Sequence, residues 1–200
     1  MSTSPEGPER LVTVEEFSAG DPDAFGEIHD GVLIRRCGQS PQHDRVVRRL
    51  ENAIDPSGPC RAIHVNIPIL LADSARAEFG GRSDLRDPDV VMRDRATELY
   101  GVEMNACETV LVAEVTSAES VDADIGIKRE LYARHGIPVY LIVHFDKDWQ
   151  QISEIEECRL DWSGRRYVTR VNHSRVLVLT DPVTLAVTFA DLQSRLPRRR

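Results

Sequence analysis

The sequence predicts an α/β fold with a mixed central sheet flanked by helices. Two observations carry this. Val110–Val115 and Val139–Phe145 are short, strongly apolar runs, and the segment between them has helical character over Val121–His135. That is a strand–helix–strand unit, whose two strands run parallel. Elsewhere, short β-rich runs alternate with turn signals such as Asp30-Gly31 and Ser163-Gly164, which adds antiparallel strands to the same fold.

The elements follow in order. Thr13-Val14-Glu15-Glu16 has the spacing of a capping box and predicts a short helix through Phe17. Asp30-Gly31 separates Phe25–His29 from Val32–Ile34, which predicts a two-residue hairpin. Ser40 caps a helix with Pro41 at its first position, and Val46, Val47, Leu50 and Ile54 form its apolar stripe. Cys60–Leu71 reads as one strand, with Pro68 marking an edge or a bulge. Residues 72–87 read as a loop into a strand over Asp89–Met92, and a second loop leads to Val110–Val115. Ser117 or Ser120 can cap the helix that follows, which stops at Gly136-Ile137-Pro138. Strands near 149–157, 166–171 and 174–179 come next, and a final helix near Phe189–Leu196 closes the chain.

Composition bounds the rest. At 200 residues, 41% apolar and 29% charged, the chain is long enough for one domain with a real core. Residues 1–9 read as a disordered leader, 10–197 as a single domain and 198–200 as a basic tail. Ile137–Phe145, the longest strongly apolar stretch, is too short to span a bilayer, so no membrane role is expected. The N-terminus has neither a basic start nor an apolar signal region, and a cytoplasmic location is the expectation. Cys37, Cys60, Cys107 and Cys158 are widely spaced, which argues against a zinc site or a disulfide framework. The net charge of −8 argues against grip on nucleic acid through a global field, but not against a local basic groove. Arg45, Arg48 and Arg49 read as a solvated helix face.

The chemistry-bearing residues are Glu27, Asp89, Glu114 and Lys128. Charges at the ends of buried strands are costly unless they are paired or hold a cation. Carboxylates with a nearby ammonium are what a Mg²⁺-dependent phosphodiester-cleaving site needs. Period-two geometry puts Glu114 on the face of Val110 and Val112, and Asp124, Lys128 and Tyr132 share one helix face. A helix folding back over the sheet can carry Lys128 to Glu114. Each residue also has a plainer reading: a surface pair with Asp124 for Lys128, which spacing alone favours, a turn residue for Asp89, and an outward strand residue for Glu27.

The chain resembles the Uma-two family of restriction-endonuclease-like proteins, within the PD-(D/E)XK nuclease superfamily. The resemblance runs from Val12 to about Leu196. It rests on Phe25-Gly26-Glu27-Ile28-His29-Asp30-Gly31-Val32, His43 with Leu50, Arg86-Asp87-Pro88-Asp89-Val90-Val91, and Val112-Ala113-Glu114-Val115-Thr116-Ser117. It continues in Asp124, Lys128, Tyr132-Ala133 and Gly136-Ile137-Pro138-Val139-Tyr140. Thr116 stands where the parent pattern has its lysine, and Lys128 occupies the position to which this family's lysine has moved. Tyr140-Leu141-Ile142-Val143-His144 departs from the Tyr-Trp-Leu-Val-Asp of relatives. The resemblance implies a restriction-endonuclease-like fold and a metal-dependent endonuclease acting on DNA. It implies Mg²⁺ (or Mn²⁺) held by Asp89 and Glu114, with Glu27 and Lys128 completing the catalytic set. His43 is a candidate for phosphate contact, and a homodimer is a weaker expectation. The competing class is a non-catalytic binding or regulatory module on the same fold; a hydrolase of small phosphorylated substrates has only the acidic cluster in its favour.

Overall fold

In the computed structural model, residues 11–13, 16, 17, 19, 26–35, 39–54, 61–65, 68–71, 84–94, 104–118 and 124–194 are described. The leader, the basic tail, Cys37, Cys60 and Ser120 lie outside them. Two expected motifs appear at the start of the chain. Thr13 N donates to Glu16 Oε2 and Glu16 N to Thr13 Oγ1, both at 3.1 Å, a reciprocal capping box. Strands β1 (Gly26–His29) and β2 (Val32–Arg35) pair antiparallel across Asp30-Gly31. Both turn residues have positive φ, 49° and 82°, the geometry whose twist matches a hairpin. Helix α1 (Pro41–Ile54) begins as expected, with His43 N donating to Ser40 Oγ at 3.2 Å.

The stretch expected as one strand over Cys60–Leu71 is two: β3 (Arg61–Val65) and β4 (Ile69–Leu71), in different sheets. Pro68 thus marks a change of sheet, where its missing N–H removes no ladder bond. The expected loop over 72–87 ends in a further strand, β5 (Asp84–Arg86), too short to show an alternation. Strands β6 (Val90–Asp94), β7 (Met104–Asn105) and β8 (Thr109–Val115) follow. The segment over 124–134 opens with a π-helical turn, Asp124–Lys128, before helix α2 (Arg129–Arg134). Gly136 (φ 75°) ends the helix: its N–H bonds Ala133 O, and Ile137 N returns to Tyr132 O. The chain closes with β9 (Val139–Phe145), β10 (Ile152–Leu160), β11 (Tyr167–His173), β12 (Val176–Leu179), an unanticipated β13 (Leu185–Thr188) and α3 (Phe189–Gln193).

Six strands form the main sheet in the order β11-β10-β9-β8-β6-β3, and five form a smaller one in the order β2-β1-β5-β4-β7. Within the main sheet only β8 and β9 run parallel, as the strand–helix–strand unit requires, so the sheet is mixed as expected. Its two faces carry separate cores. Leu111, Ala113 and Val115 of β8 pack with Val46, Leu50 and Ile54 of α1 and Leu192 of α3. Val112 packs on the other face with Leu131 and Tyr132 of α2, Tyr140 and Ile142. Val110 was expected to share the face of Val112 and Glu114. It packs with the α1 side instead, because the β6–β8 register shifts between Met92 and Arg93. Burial of these aliphatic side chains, at about 25 cal/mol per Å², is what holds the layers together.

Segment 84–94 matters most for function. It runs from β5 in the small sheet through Asp87-Pro88 to β6 in the main one. Residues borne by both sheets therefore meet along this seam.

Candidate active site

Lys128 is the centre of the cluster. Its Nζ lies 3.0 Å from Glu114 Oε1 and 3.0 Å from Glu27 Oε1. Tyr132, one helical turn further on, donates its hydroxyl to the same Glu114 Oε1 at 2.9 Å. Three elements converge here: β1 supplies Glu27, β8 supplies Glu114 on the face turned to α2, and the end of the π-helical turn supplies Lys128. Such turns recur at functional sites, where they re-aim a side chain that a regular helix would direct elsewhere. Lys128 and Glu27 are each 5% exposed and Glu114 is 1% exposed. That overturns the surface-pair reading of Lys128 and the outward reading of Glu27. Burial, and then the charges of Glu114 and Glu27, hold the Tyr132 hydroxyl well above its ordinary pKa, so it stays protonated and donates.

Asp89 occupies the next position in the main sheet, just before β6, and is 2% exposed. It is no solvent-facing turn residue. Its Oδ2 accepts from Val115 N at 2.7 Å and lies 3.2 Å from His43 Nε2. The amide it takes is that of the residue after Glu114, so Asp89 and Glu114 flank one point on β8. His43 therefore reaches the acid set through Asp89. Burial lowers the His43 pKa, but the hydrogen bond and charge of Asp89, and then those of Asp44, outweigh it and the net direction is upward. A raised folded pKa means the pair's contribution is complete below the unfolded value near 6.5 and is lost as pH rises through the folded one. Urea unfolding should accordingly show wild type more stable than His43→Gln by about 1.5–3 kcal/mol below pH 6.5. The gap should narrow as pH rises through the folded pKa of His43.

Sequence reasoning quoted Arg86 in a motif but gave it no role in the site. It is 2% exposed, and Nη1 lies 3.3 Å from Glu27 Oε2 while Nη2 lies 2.6 Å from His29 Nδ1 and 3.6 Å from Asp84 Oδ1. The same His29 Nδ1 lies 3.0 Å from Asp84 Oδ1, and its tautomer decides whether it accepts from Arg86 or donates to Asp84. Asp84 Oδ1 is also held by Asp30 N at 2.8 Å. The signal was present as an arginine three residues before Asp89, but a three-residue strand has no period to reveal it. Thr116, where the parent pattern of the resemblance has its lysine, is buried and donates Oγ1 to Val143 O at 2.9 Å. His144 Nε2 stands 3.7 Å from Glu156 Oε2, away from the Lys128 contacts. A cavity of about 270 Å³ opens beside His43, between Ser40, Thr116, Phe145 and Trp149.

Among the described residues, no three His, Cys, Asp or Glu side chains are gathered as a metal cage. A Mg²⁺ site does not require one, because that ion is commonly held by one or two carboxylates, with water and phosphate oxygens completing the shell. The donors present suit it. Glu114, Lys128, Glu27, Arg86 and Asp84 form a chain of three carboxylates and two cations, and Asp89 adds a fourth carboxylate beside it. The formal excess is two negative charges of hard oxygen donors.

Comparison with known proteins agrees with this architecture. Residues 14–194 match the Uma2 family, described as "putative restriction endonuclease". Among solved structures, the chain is similar to "a putative nuclease belonging to DUF820" from Anabaena variabilis ATCC 29413. The TM-score is 0.62 and the identity 15%, with 90% of this chain and 97% of that one covered, a likeness of fold. No curated protein matches the chain by sequence. No described helix is long and apolar enough to cross a membrane. The match spans nearly the whole described chain, both sheets and the seam between them: the chain belongs to the Uma2 family.

Proposed function

We propose that the chain is a metal-dependent endonuclease that hydrolyses DNA phosphodiester bonds, with Glu27, Asp89, Glu114 and Lys128 as its catalytic set. The observation that carries this is the Lys128 ammonium, 3.0 Å from both Glu27 and Glu114 in the interior of the protein. Asp89 and Glu114 would hold Mg²⁺ or Mn²⁺, which supplies Lewis-acid polarisation of the scissile phosphate and a more acidic bound water. Lys128 would stabilise negative charge as it builds on the phosphate. Tyr132 and Glu27 fix the position of Glu114 and of the ammonium. Arg86 in turn anchors Glu27. His43 orients Asp89 and lines the neighbouring cavity, where it is available to a substrate phosphate. A homodimer would let two such sites act on two strands.

A second reading, a non-catalytic module on the same fold, draws support from the net charge of −8 and from the near-complete burial of the set. Supercoiled plasmid with Mg²⁺ or Mn²⁺ separates the two. Wild type should nick it, and Asp89→Ala should lose about 100-fold or more of the rate. No nicking by wild type with any metal or DNA form would end the enzyme reading. Metal titration by calorimetry then asks whether binding depends on Asp89 and Glu114.

A further inference from the structure

The turn between β10 and β11 holds an indole ring out in water. Trp162 is 98% exposed. The backbone around it is fixed: Asp161 Oδ1 accepts from Ser163 N at 3.0 Å and from Ser163 Oγ at 2.5 Å. Gly164, at φ 67°, donates to Asp161 O, and Asp161 N donates to Arg166 O. Leaving a large aromatic surface solvated on a rigid turn forgoes a few kcal/mol of burial, and Trp is a residue enriched where surfaces bind partners.

Arg165 and Arg166 follow on the same turn, and neither guanidinium bonds a described residue. With α2 they line a groove of about 560 Å³ that also displays Arg129 and Arg134. Arg129 is matched by Glu156 at 2.7 Å and Arg134 by Glu130 at 2.8 Å, so the unmatched charge is that of the turn. In a chain of net charge −8, this groove is a local reversal of sign. The groove also borders the helix that begins where Lys128 ends the π-helical turn.

We propose that this turn and groove bind a nucleic-acid strand, with an unpaired base stacked on Trp162 and flanking phosphates on Arg165 and Arg166. The inference rests on the nuclease reading for its choice of ligand and adds a substrate class, nucleic acid with single-stranded character. The chemistry favours an unpaired base because a base within a duplex has both π faces covered by its neighbours, whereas an exposed aromatic ring needs an open face. The arginines that follow on the same turn supply the sequence-independent phosphate contacts.

The test is fluorescence anisotropy of a labelled single-stranded oligonucleotide and of the matching blunt duplex, with the full chain in EDTA at low salt. Trp162→Ala should weaken single-strand binding roughly 5- to 150-fold, the range for one stacked base. Trp162→Phe, which keeps an aromatic face, should restore most of it. Arg165→Ala with Arg166→Ala should reduce the slope of log affinity against log salt by about 1.4, as expected for two single-strand phosphate contacts. Unchanged affinity in Trp162→Ala, or an equal loss on duplex, overturns the inference. Because EDTA removes metal, binding through the turn by a protein that never nicks plasmid would sustain this proposal and defeat the nuclease reading. Nicking and strand binding that both ignore the turn would do the reverse.

Discussion

Lys128→Met should abolish plasmid nicking and lower folding stability by about 3–5 kcal/mol, the cost of breaking a buried ion pair from one side. Methionine nearly matches the length of the lysine stem, so the loss is of charge and donors more than of volume. Glu27 and Glu114 then face each other with Glu27 still held by Arg86, but with no ammonium between them. Urea unfolding measures the stability term and the plasmid assay the catalytic one. A variant that unfolds at the wild-type urea midpoint would show that the ammonium does not hold the two carboxylates together. A companion variant, Tyr132→Phe, removes only the hydroxyl donated to Glu114 and should cost about 1–3 kcal/mol. It should also soften the fall in stability above pH 10. The raised Tyr132 pKa makes the folded state resist ionisation that the unfolded chain undergoes freely there.

Arg86→Leu carries the second large effect. The guanidinium is buried against Glu27, His29 and Asp84, and its removal leaves Glu27 to Lys128 alone among these cations and Asp84 to Asp30 N and His29, in a site that burial has largely separated from water. A loss of about 3–5 kcal/mol is expected. Because Arg86 touches the set only through Glu27, Arg86→Lys should recover part of the stability. It should not recover the forked geometry, since an ammonium cannot span Glu27 and His29 as a planar guanidinium does. Equal stability of wild type and Arg86→Leu in urea would show that the network is not load-carrying in the fold.

The parts of the molecule legible in the sequence are those with a long enough signal. Strand β8, the helix after it and β9 each carry an apolar pattern of several residues, and Asp30-Gly31, Ser40-Pro41 and Gly136 have local backbone chemistry that acts without tertiary help. The split into β3 and β4 was not legible, because one apolar run looks the same whether it stays in a sheet or changes to another. Strand β5 has three residues and no readable alternation, and Arg86 was hidden with it. For the site, spacing put Lys128 and Tyr132 on one helix face, and both contact Glu114. Spacing alone still favoured a solvent pair for Lys128, because the periodicity of a helix does not say which face a sheet will cover. His43 could be named, but its path to the site through Asp89 depends on two elements 46 residues apart.

Glu27 belongs to the five-stranded sheet, while Glu114 belongs to the six-stranded one. A loosening that parts the two layers by even a couple of ångströms would scatter this constellation while leaving each layer's own ladder whole. Mild denaturant should then extinguish any cleavage well before circular dichroism changes, making enzymatic competence a more delicate gauge of interlayer docking than the spectrum of the backbone.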